Sequence, residues 1–195
     1  VWEQKFMTEI QEKANTIPQE LSIAEIRKYT KEAAPLIHCI TNPISIHDCA
    51  NIILAAGARP IMAEHPAEVA EITAVASALM LNLGNITDAR IESIQRALKE
   101  ANRRKIPVLL DLVGVTCSSL RREFARKLLT DGRFAVIKGN ISEILAAADL
   151  PFHGTGIDAG SQDAISQAMR QATALPPKSL QSIWGVRSWL PENWI

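Results

Sequence analysis

The sequence lacks an excess of charge, a long apolar run and a disulfide framework. Its 195 residues carry 21 Lys+Arg and 21 Asp+Glu, a formal net charge of zero. A net basic field that would draw nucleic acid or anionic lipid is therefore absent. No apolar stretch approaches the roughly 18 residues of a membrane span. The three cysteines are Cys39, Cys49 and Cys117. An odd number in a chain of this length does not suit a small secreted scaffold, so reduced thiols in a cytoplasmic protein are expected. No glycine-rich loop of the P-loop or dinucleotide type occurs. No signal-peptide pattern opens the chain: Val1 to Phe6 is short and polar, and Met7 reads as a natural start preceded by upstream residues.

What is present is enough apolar material for a core. Hydrophobic residues make up 47% of the chain and charged residues 22%, which excludes disorder for the body. A chain of this length buries roughly 70% of its unfolded surface. One globular domain, with or without a tail, is expected.

The elements follow from capping residues and periodicity. Ser22-Ile-Ala-Glu25 is a capping box, and its helix should reach about Ala34, before Pro35. Leu36–Ile40 reads as a buried strand, Thr41–Ser45 as a turn, and 46–56 as a helix closed by Gly57. The rhythm then repeats, with a strand at 59–63, a helix at 67–77 and a strand at 78–82. After a Gly84-Asn85 turn, Thr87 caps a helix to about Arg104, with Ile91, Ile94 and Leu98 on one stripe. Strand 107–111 ends in an acid. A helix at 120–130, a strand at 134–137, a turn at Lys138-Gly-Asn140 and a helix at 141–148 complete the series. A further helix fits 161–173. From Leu175 the composition shifts: Pro176-Pro177 break the chain, and three of the four tryptophans (Trp184, Trp189, Trp194) follow. No further strand with a glycine-rich exit is expected there.

Short strands alternating with helices imply right-handed βαβ units and a mostly parallel sheet with helices on both faces. Ligands of such sheets bind beyond the carboxyl ends of the strands. The polar residues that fall there are Thr41-Asn42, Met62-Ala-Glu64, Asn82-Leu-Gly84-Asn85, Asp111 and Lys138-Gly-Asn140.

Several of these residues carry chemistry. Asn140-Ile-Ser-Glu143 is by itself a variant capping box. A glutamate in that first turn, beside a phosphate pocket, can also hold water bound to Mg²⁺, which keeps several waters. Asp111 closes an apolar strand, so it must reach the wet edge, a turn N–H or a cation. With Glu143 on a nearby strand end it forms a candidate metal-water pair. Lys138 can neutralise a polyphosphate, or be a solvated loop lysine. His38-Cys39 and His47-x-Cys49 suggest zinc, but adjacent strand residues point to opposite faces and the spacing fits no compact zinc module. Core burial of Cys39 and Cys49 is the expectation. Cys117, on the loop after Asp111, is the candidate for a thiol hydrolase.

Five segments together resemble the hydroxyethylthiazole kinase family. They are Pro35-Leu-Ile-His-Cys-Ile-Thr-Asn42, Ala56-Gly-Ala-Arg-Pro-Ile-Met-Ala63, Leu79-Met-Leu-Asn-Leu-Gly84, Leu110-Asp-Leu-Val-Gly114 and Ile137-Lys-Gly-Asn-Ile-Ser-Glu143. The resemblance runs from about Ile23 to Gly160. It implies an α/β fold, the three-layer αβα ribokinase-like arrangement with a mostly parallel sheet, incomplete at the C-terminus. The corresponding division is an N-terminal extension at 1–21, a partial ribokinase-like domain at 22–174 and a Trp/Pro-rich tail at 175–195. The resemblance also implies transfer of a phosphoryl group from ATP, with Mg²⁺, to the hydroxyl of 4-methyl-5-(2-hydroxyethyl)thiazole in thiamine supply. It implies a cytoplasmic homotrimer with thiazole sites between subunits, and no nucleic-acid or membrane partner.

Carried over by motif, Met62 contacts the thiazole, and Asn42 and Gly84 line the same substrate edge. Lys138 stands where the family often has an ATP-binding arginine, and Asn140 belongs to the same motif. Asp111 and Glu143 match acids linked to magnesium and phosphates. Leu112 replaces a proline common in the family, and Lys138 keeps the charge but loses a bidentate fork. The family's Thr-Gly-x-Gly loop, which carries the Cys or Asp near the reacting hydroxyl, has no counterpart in the 195 residues, so no catalytic residue is assigned. The alternative expectation is a truncated, non-catalytic fragment that at most binds ligand or partner subunits, with a frameshift near Thr173 to Leu175 as one origin.

Overall fold

The computed structural model describes residues 22–149 and 183–185. Expectations for the 1–21 extension, the helix at 161–173 and the rest of the tail lie outside the described residues.

In chain order the elements are α1 (Ile23–Ala33), β1 (Leu36–Ile40), α2 (Ile46–Ala56), β2 (Arg59–Ile61), α3 (Val69–Val75), β3 (Ala78–Asn82), α4 (Asp88–Arg104), β4 (Val108–Asp111), α5 (Ser119–Asp131), β5 (Val136–Gly139), α6 (Ile141–Ala147) and β6 (Ile183–Gly185). The strands form one six-stranded sheet in the order β2-β1-β3-β4-β5-β6, and each pair is parallel. The chain steps outward from β1 to β2, then returns to place β3 on the other side of β1. That reversal is the topological switch point of an open α/β sheet, where a crevice forms beyond the strand ends. With right-handed crossovers it also puts α2 on one face and α3 to α6 on the other.

The core lies on the α3–α6 side. His38, Leu79, Val108 and Ile40, Leu81, Leu110, Ile137 form two cross-strand rows, and all are fully or almost fully buried. They meet a stripe on α4 of Ile94, Ala97, Leu98 and Ala101, spaced by three and four residues as a helical face requires. Phe124, Ala125, Leu128 and Leu129 of α5 and Ile144 of α6 extend the same cluster. The row on the other face, Cys39, Met80, Leu109 and Val136, is buried at Cys39 and only partly covered along the rest.

The caps explain the boundaries. The Ser22 side chain accepts from Glu25 N, and Glu25 accepts from Ser22 N, closing the expected capping box. Thr87 and Ser118 accept from Arg90 N and Arg121 N at the starts of α4 and α5. Gly57 ends α2 at φ 96°, in the left-handed region, and a Cβ there would run into Lys31 of α1.

Beyond shifts of one or two residues at other ends, four differences from the sequence reading shape the sheet edge. β2 ends at Ile61 rather than at 63, because the carbonyls beyond it accept from side chains, Ala63 O from His38 and Glu64 O from Ser93. α3 starts at Val69 rather than 67, because His65 O accepts from Glu68 N and Val69 N in a preceding turn. Lys138 and Gly139, expected in a turn, are the last two residues of β5: Lys138 registers with Asp111, and its carbonyl accepts from Leu112 N. The tail, where no strand with a glycine-rich exit is expected, contributes Ile183–Gly185 as β6, parallel to β5.

Candidate active site

Three neighbouring strands carry a polar side chain at or next to their last residue. Asn82, Asp111 and Lys138 are register partners across β3, β4 and β5. Each follows a buried leucine or isoleucine, so alternation turns all three toward the face away from the core. Lys138 Nζ donates to both oxygens of Asp111, at 3.1 and 3.3 Å. Asn82 Nδ2 donates to Asp111 Oδ2 at 3.2 Å, and Val113 N donates to Asp111 Oδ1 at 3.1 Å. Asp111 is thus both the turn cap and the cation partner that its position suggested. The lysine head is 42% exposed and the carboxylate 11%, so the pair opens to solvent on the lysine side.

Glu143 joins the same cluster from α6. Its Oε2 accepts from Asn140 N at 2.9 Å, and Asn140 Oδ1 accepts from Glu143 N at 2.8 Å, a complete capping box. Its Oε1 accepts from Gly114 N at 3.0 Å, 29 residues away. Asp111 and Glu143 therefore hold successive backbone N–H groups of one loop, at Val113 and Gly114. Gly114 has φ 75°, and a Cβ there would sit 2.5 Å from Arg121 Nη1. The positive φ is what calls for glycine, and a Cβ would in addition displace the end of Arg121. Arg121 also donates to Leu83 O at 3.1 Å, tying the loop after β4 to the loop after β3.

The donor set fits a hard divalent cation. Mg²⁺ takes one or two carboxylates and completes its shell with water and substrate phosphates. Asp111 and Glu143 hold the same loop; each Glu143 oxygen accepts one bond and keeps a lone pair, whereas each Asp111 oxygen accepts two and regains one when Lys138 leaves. Among the described residues no group of three His, Cys, Asp or Glu side chains is placed to cage an ion, so substrate oxygens and water would complete the shell.

The other end of the edge is neutral. Asn42, just after β1, accepts from Ile44 N and Ser45 N at 3.0 and 3.1 Å. Its Nδ2 donates to Asn82 Oδ1 at 3.2 Å, and Gly84 N donates to the same oxygen at 2.8 Å. A Cβ on Gly84 would lie 2.8 Å from that Asn82 oxygen and 3.1 Å from Asn42 Nδ2, so the glycine lets this loop close against both amides. Arg90, buried at the start of α4, donates to the carbonyls of Asn82, Gly84 and Asn85 and fixes the loop from beneath. Burial lowers its pKa, and Glu64 offsets part of that shift. Met62 directly follows β2 and is partly exposed. Three strand spacings separate β2 from β4, so Met62 and Asp111 stand about 14 Å apart along the edge.

The structure thus gathers Asp111, Lys138, Asn140 and Glu143 at the β4–β5 end. It links Asn42 and Gly84 to them through Asn82, and leaves Met62 at the far end. Arg90 and Arg121 are site-forming residues that the sequence reading does not single out, and Asn82, named there among the polar strand ends without a role, is the link between the two groups. Asn82 had a signal, since it closes Ala-Leu-Met-Leu-Asn as Asp111 closes its own strand. The two arginines had none, because their partners are loop carbonyls.

The remaining candidates lie elsewhere. His38 faces α3, where its ring bonds Thr73, while Cys39 points to the opposite side, beside Cys49. Burial pushes the Cys39 thiol up to about 12, as for a core residue. Cys117 is exposed. His38 is committed to Thr73 and Ala63, and among the described residues no histidine is hydrogen-bonded to the Cys117 sulfur.

Comparison with known proteins agrees with this fold. The profile of the "HK: Hydroxyethylthiazole kinase family" matches residues 27–179. "Hydroxyethylthiazole kinase 2" of Clostridium botulinum (strain 657 / Type Ba4) is 54% identical over 143 residues, covering 73% of this chain and 54% of that protein. "Hydroxyethylthiazole kinase" of Alkaliphilus metalliredigens is 44% identical over 142 residues, covering 73% of this chain and 51% of the relative. The solved structure of the hydroxyethylthiazole kinase protein from Pyrococcus horikoshii OT3 superposes with a TM-score of 0.62 at 35% identity, over 65% of this chain and 50% of that one. The chain spans about half the length of the curated relatives it matches. With a profile match over most of its length, it belongs to the hydroxyethylthiazole kinase family.

Proposed function

We propose that the site transfers a phosphoryl group from ATP to the hydroxyl of 4-methyl-5-(2-hydroxyethyl)thiazole, within thiamine supply. The observation that carries this reading is the convergence of Asp111, Lys138 and Glu143 on the loop after β4. Phosphoryl transfer is mostly positioning and charge stabilisation, so it needs a cation beside two acids more than a covalent nucleophile. Lys138 leaves Asp111 to meet the terminal phosphates. Asp111 and Glu143 hold Mg²⁺, directly or through its water. When bound, the ion neutralises charge on the bridging and terminal phosphate oxygens. The thiazole alcohol lies toward Gly84 and Asn42, its ring against Met62, about 14 Å from the acids along the edge. The group that accepts the hydroxyl proton is unassigned. The subunits assemble as a homotrimer in the cytoplasm. Exposed apolar residues on α1 and α2 beside the Met62 end, Ile23, Ile26, Tyr29, Ile52 and Leu54, support a partner surface there.

One observation favours a second reading, in which the 195 residues bind both ligands without turnover: the sequence contains no Thr-Gly-x-Gly run. Loss of a preorganised anion donor costs ~10²–10³ in rate and loss of a general base ~10²–10⁴. The two factors are not additive. A coupled ADP-release assay with the thiazole alcohol and Mg·ATP, run beside calorimetric titration of each ligand, separates the readings. Alcohol-dependent ADP supports the kinase, and binding of both ligands without ADP supports the second reading. Binding of neither removes both.

A further inference from the structure

We propose that His38 is a positioning residue for the substrate end of the site: its imidazole tethers the Ala63 carbonyl and so sets where Met62 stands. The inference rests on the reading of Met62 as the thiazole contact.

β2 stops at Ile61, and residues 62–65 cross the sheet edge without strand or helix. Side chains hold that segment from inside. His38 Nε2 bonds Ala63 O at 2.8 Å, Ser93 Oγ donates to Glu64 O at 2.6 Å, and Arg90 stands 3.8 Å from the Glu64 carboxylate. Of these three, His38 grips the residue adjoining Met62. Register explains its reach. His38 pairs with Ile61 on β2, and Ala63, two residues on, returns to the same side of the chain.

The protonation state follows from the partners. A carbonyl only accepts, so Nε2 carries the proton and donates to Ala63 O. Nδ1 is then the acceptor, and the Thr73 hydroxyl donates to it at 2.8 Å. Both His38 and Thr73 are 0% exposed. The Ala63 carbonyl thus fixes the tautomer, and Thr73, on α3, satisfies Nδ1 and holds the ring in the orientation that reaches Ala63. One ring joins β1, α3 and the segment between β2 and α3.

A core-filling role would not favour histidine here. Ile40, on the same strand and the same face, is fully buried with an apolar side chain. A histidine in such a place buries two polar atoms and costs free energy unless both are bonded. Both are bonded, and one bond fixes the chain beside the proposed substrate contact. The His-x-Ile-Thr-Asn run thereby serves both neighbours of its strand: His38 reaches the segment after β2, and Asn42 reaches Asn82 of β3.

The test uses the 195-residue chain and the variants His38→Asn, His38→Gln and Thr73→Val. Asparagine reaches Thr73 but not Ala63, whereas glutamine places an amide donor where Nε2 stands. Calorimetry with 4-methyl-5-(2-hydroxyethyl)thiazole should show binding weakened about tenfold in His38→Asn and largely recovered in His38→Gln. Mg·ATP binding should be unchanged in both. Equal loss of the two ligands, no loss of either, or failure of glutamine to rescue would overturn the proposal. If the unmodified chain takes up no thiazole alcohol, the reading of function fails on its own, and amide exchange over residues 62–65 still decides the tether. Faster exchange there in His38→Asn than in His38→Gln or the unmodified chain is expected; equal rates in all three refute the tether. If His38→Asn does not fold, Thr73→Val carries the test: faster exchange at 62–65 supports the tether, and unchanged exchange refutes it.

Discussion

The two ends of the strand edge are held by different physics. At the β4–β5 end, charges satisfy one another and the backbone: Asp111 accepts from Lys138, Asn82 and Val113, and Glu143 accepts from Gly114 and Asn140. At the β1–β2 end, the hydrogen bonds that hold the irregular segment come from neutral groups, His38 to Ala63 and Ser93 to Glu64, with Arg90 3.8 Å from the Glu64 carboxylate as the one charged contact, and α1 and α2 alongside bury no residue of their own. A charged ligand at the first end must exchange partners, because Lys138 must leave Asp111 to meet a phosphate. A neutral ring at the second end meets a preformed wall. Electrostatic substitutions should therefore act at one end and shape-holding substitutions at the other, with little crossover.

The largest effect is expected from Glu143→Ala. It leaves Gly114 N and Asn140 N without their acceptor and removes half of a capping box. Unfolding in urea should show a loss of about 2–4 kcal/mol, and Mg·ATP binding should disappear. Gly114→Ala comes next: the backbone lies in the left-handed region and the new methyl meets Arg121, for a loss of about 1–3 kcal/mol. Lys138→Met should cost little stability, because its ion pair is partly solvated. Its effect is on ligands: about tenfold weaker Mg·ATP binding by calorimetry, with thiazole binding unchanged. A Lys138→Met protein that lost both ligands equally would erase the distinction between the two ends.

A smaller, pH-dependent effect belongs to the neutral end. Burial holds the His38 imidazole below its ordinary value near 6.5, with the Ala63 carbonyl and Glu68 opposing that shift in part. Below about pH 6.5 the unfolded chain therefore takes up a proton that the folded chain refuses. Stability should fall as pH drops from there and level off once the folded ring itself protonates. His38→Gln removes this component. Subtracting its urea unfolding curves from those of the unmodified chain, between pH 7.5 and 4.5, cancels the exposed histidines and the carboxylates. A flat difference would show that His38 is not held neutral by the fold.

The sequence made the charged end legible and left most of the neutral end hidden. Caps are local: Ser22, Thr87 and Asn140 each bond a residue three positions on, and an acid closing an apolar strand has few places to go. Parallel strands then bring such endings together, so Asp111, Lys138 and Glu143 meet without their contacts being foreseen one by one. The tether that holds Ala63 spans 25 residues and its Thr73 support spans 35. A buried histidine and a helical threonine carry no pattern that pairs them. The same holds for Arg90 and Arg121, whose partners are carbonyls of a loop. β6 escaped for a related reason: Ile183–Gly185 is three residues long, too short for alternation to show, and it joins the sheet only because β5 offers it an edge.

The smallest effect on the folded chain is expected from Ile52→Lys, and it sharpens the contrast from outside. Ile52 is 69% exposed on α2, which buries none of its residues. A surface change of this kind usually moves stability by less than about 0.5 kcal/mol, so urea unfolding at low protein concentration should be nearly unchanged. If the α1–α2 face is a subunit contact, a lysine there places a charge in an apolar interface and costs association free energy. Light scattering behind size exclusion should then show a mass near three chains falling toward one. Thiazole binding should weaken with it, because the proposed substrate end adjoins that face, and Mg·ATP binding should persist. Unchanged mass with unchanged thiazole binding would detach the apolar helices from the site and leave the neutral end to be explained by a single chain.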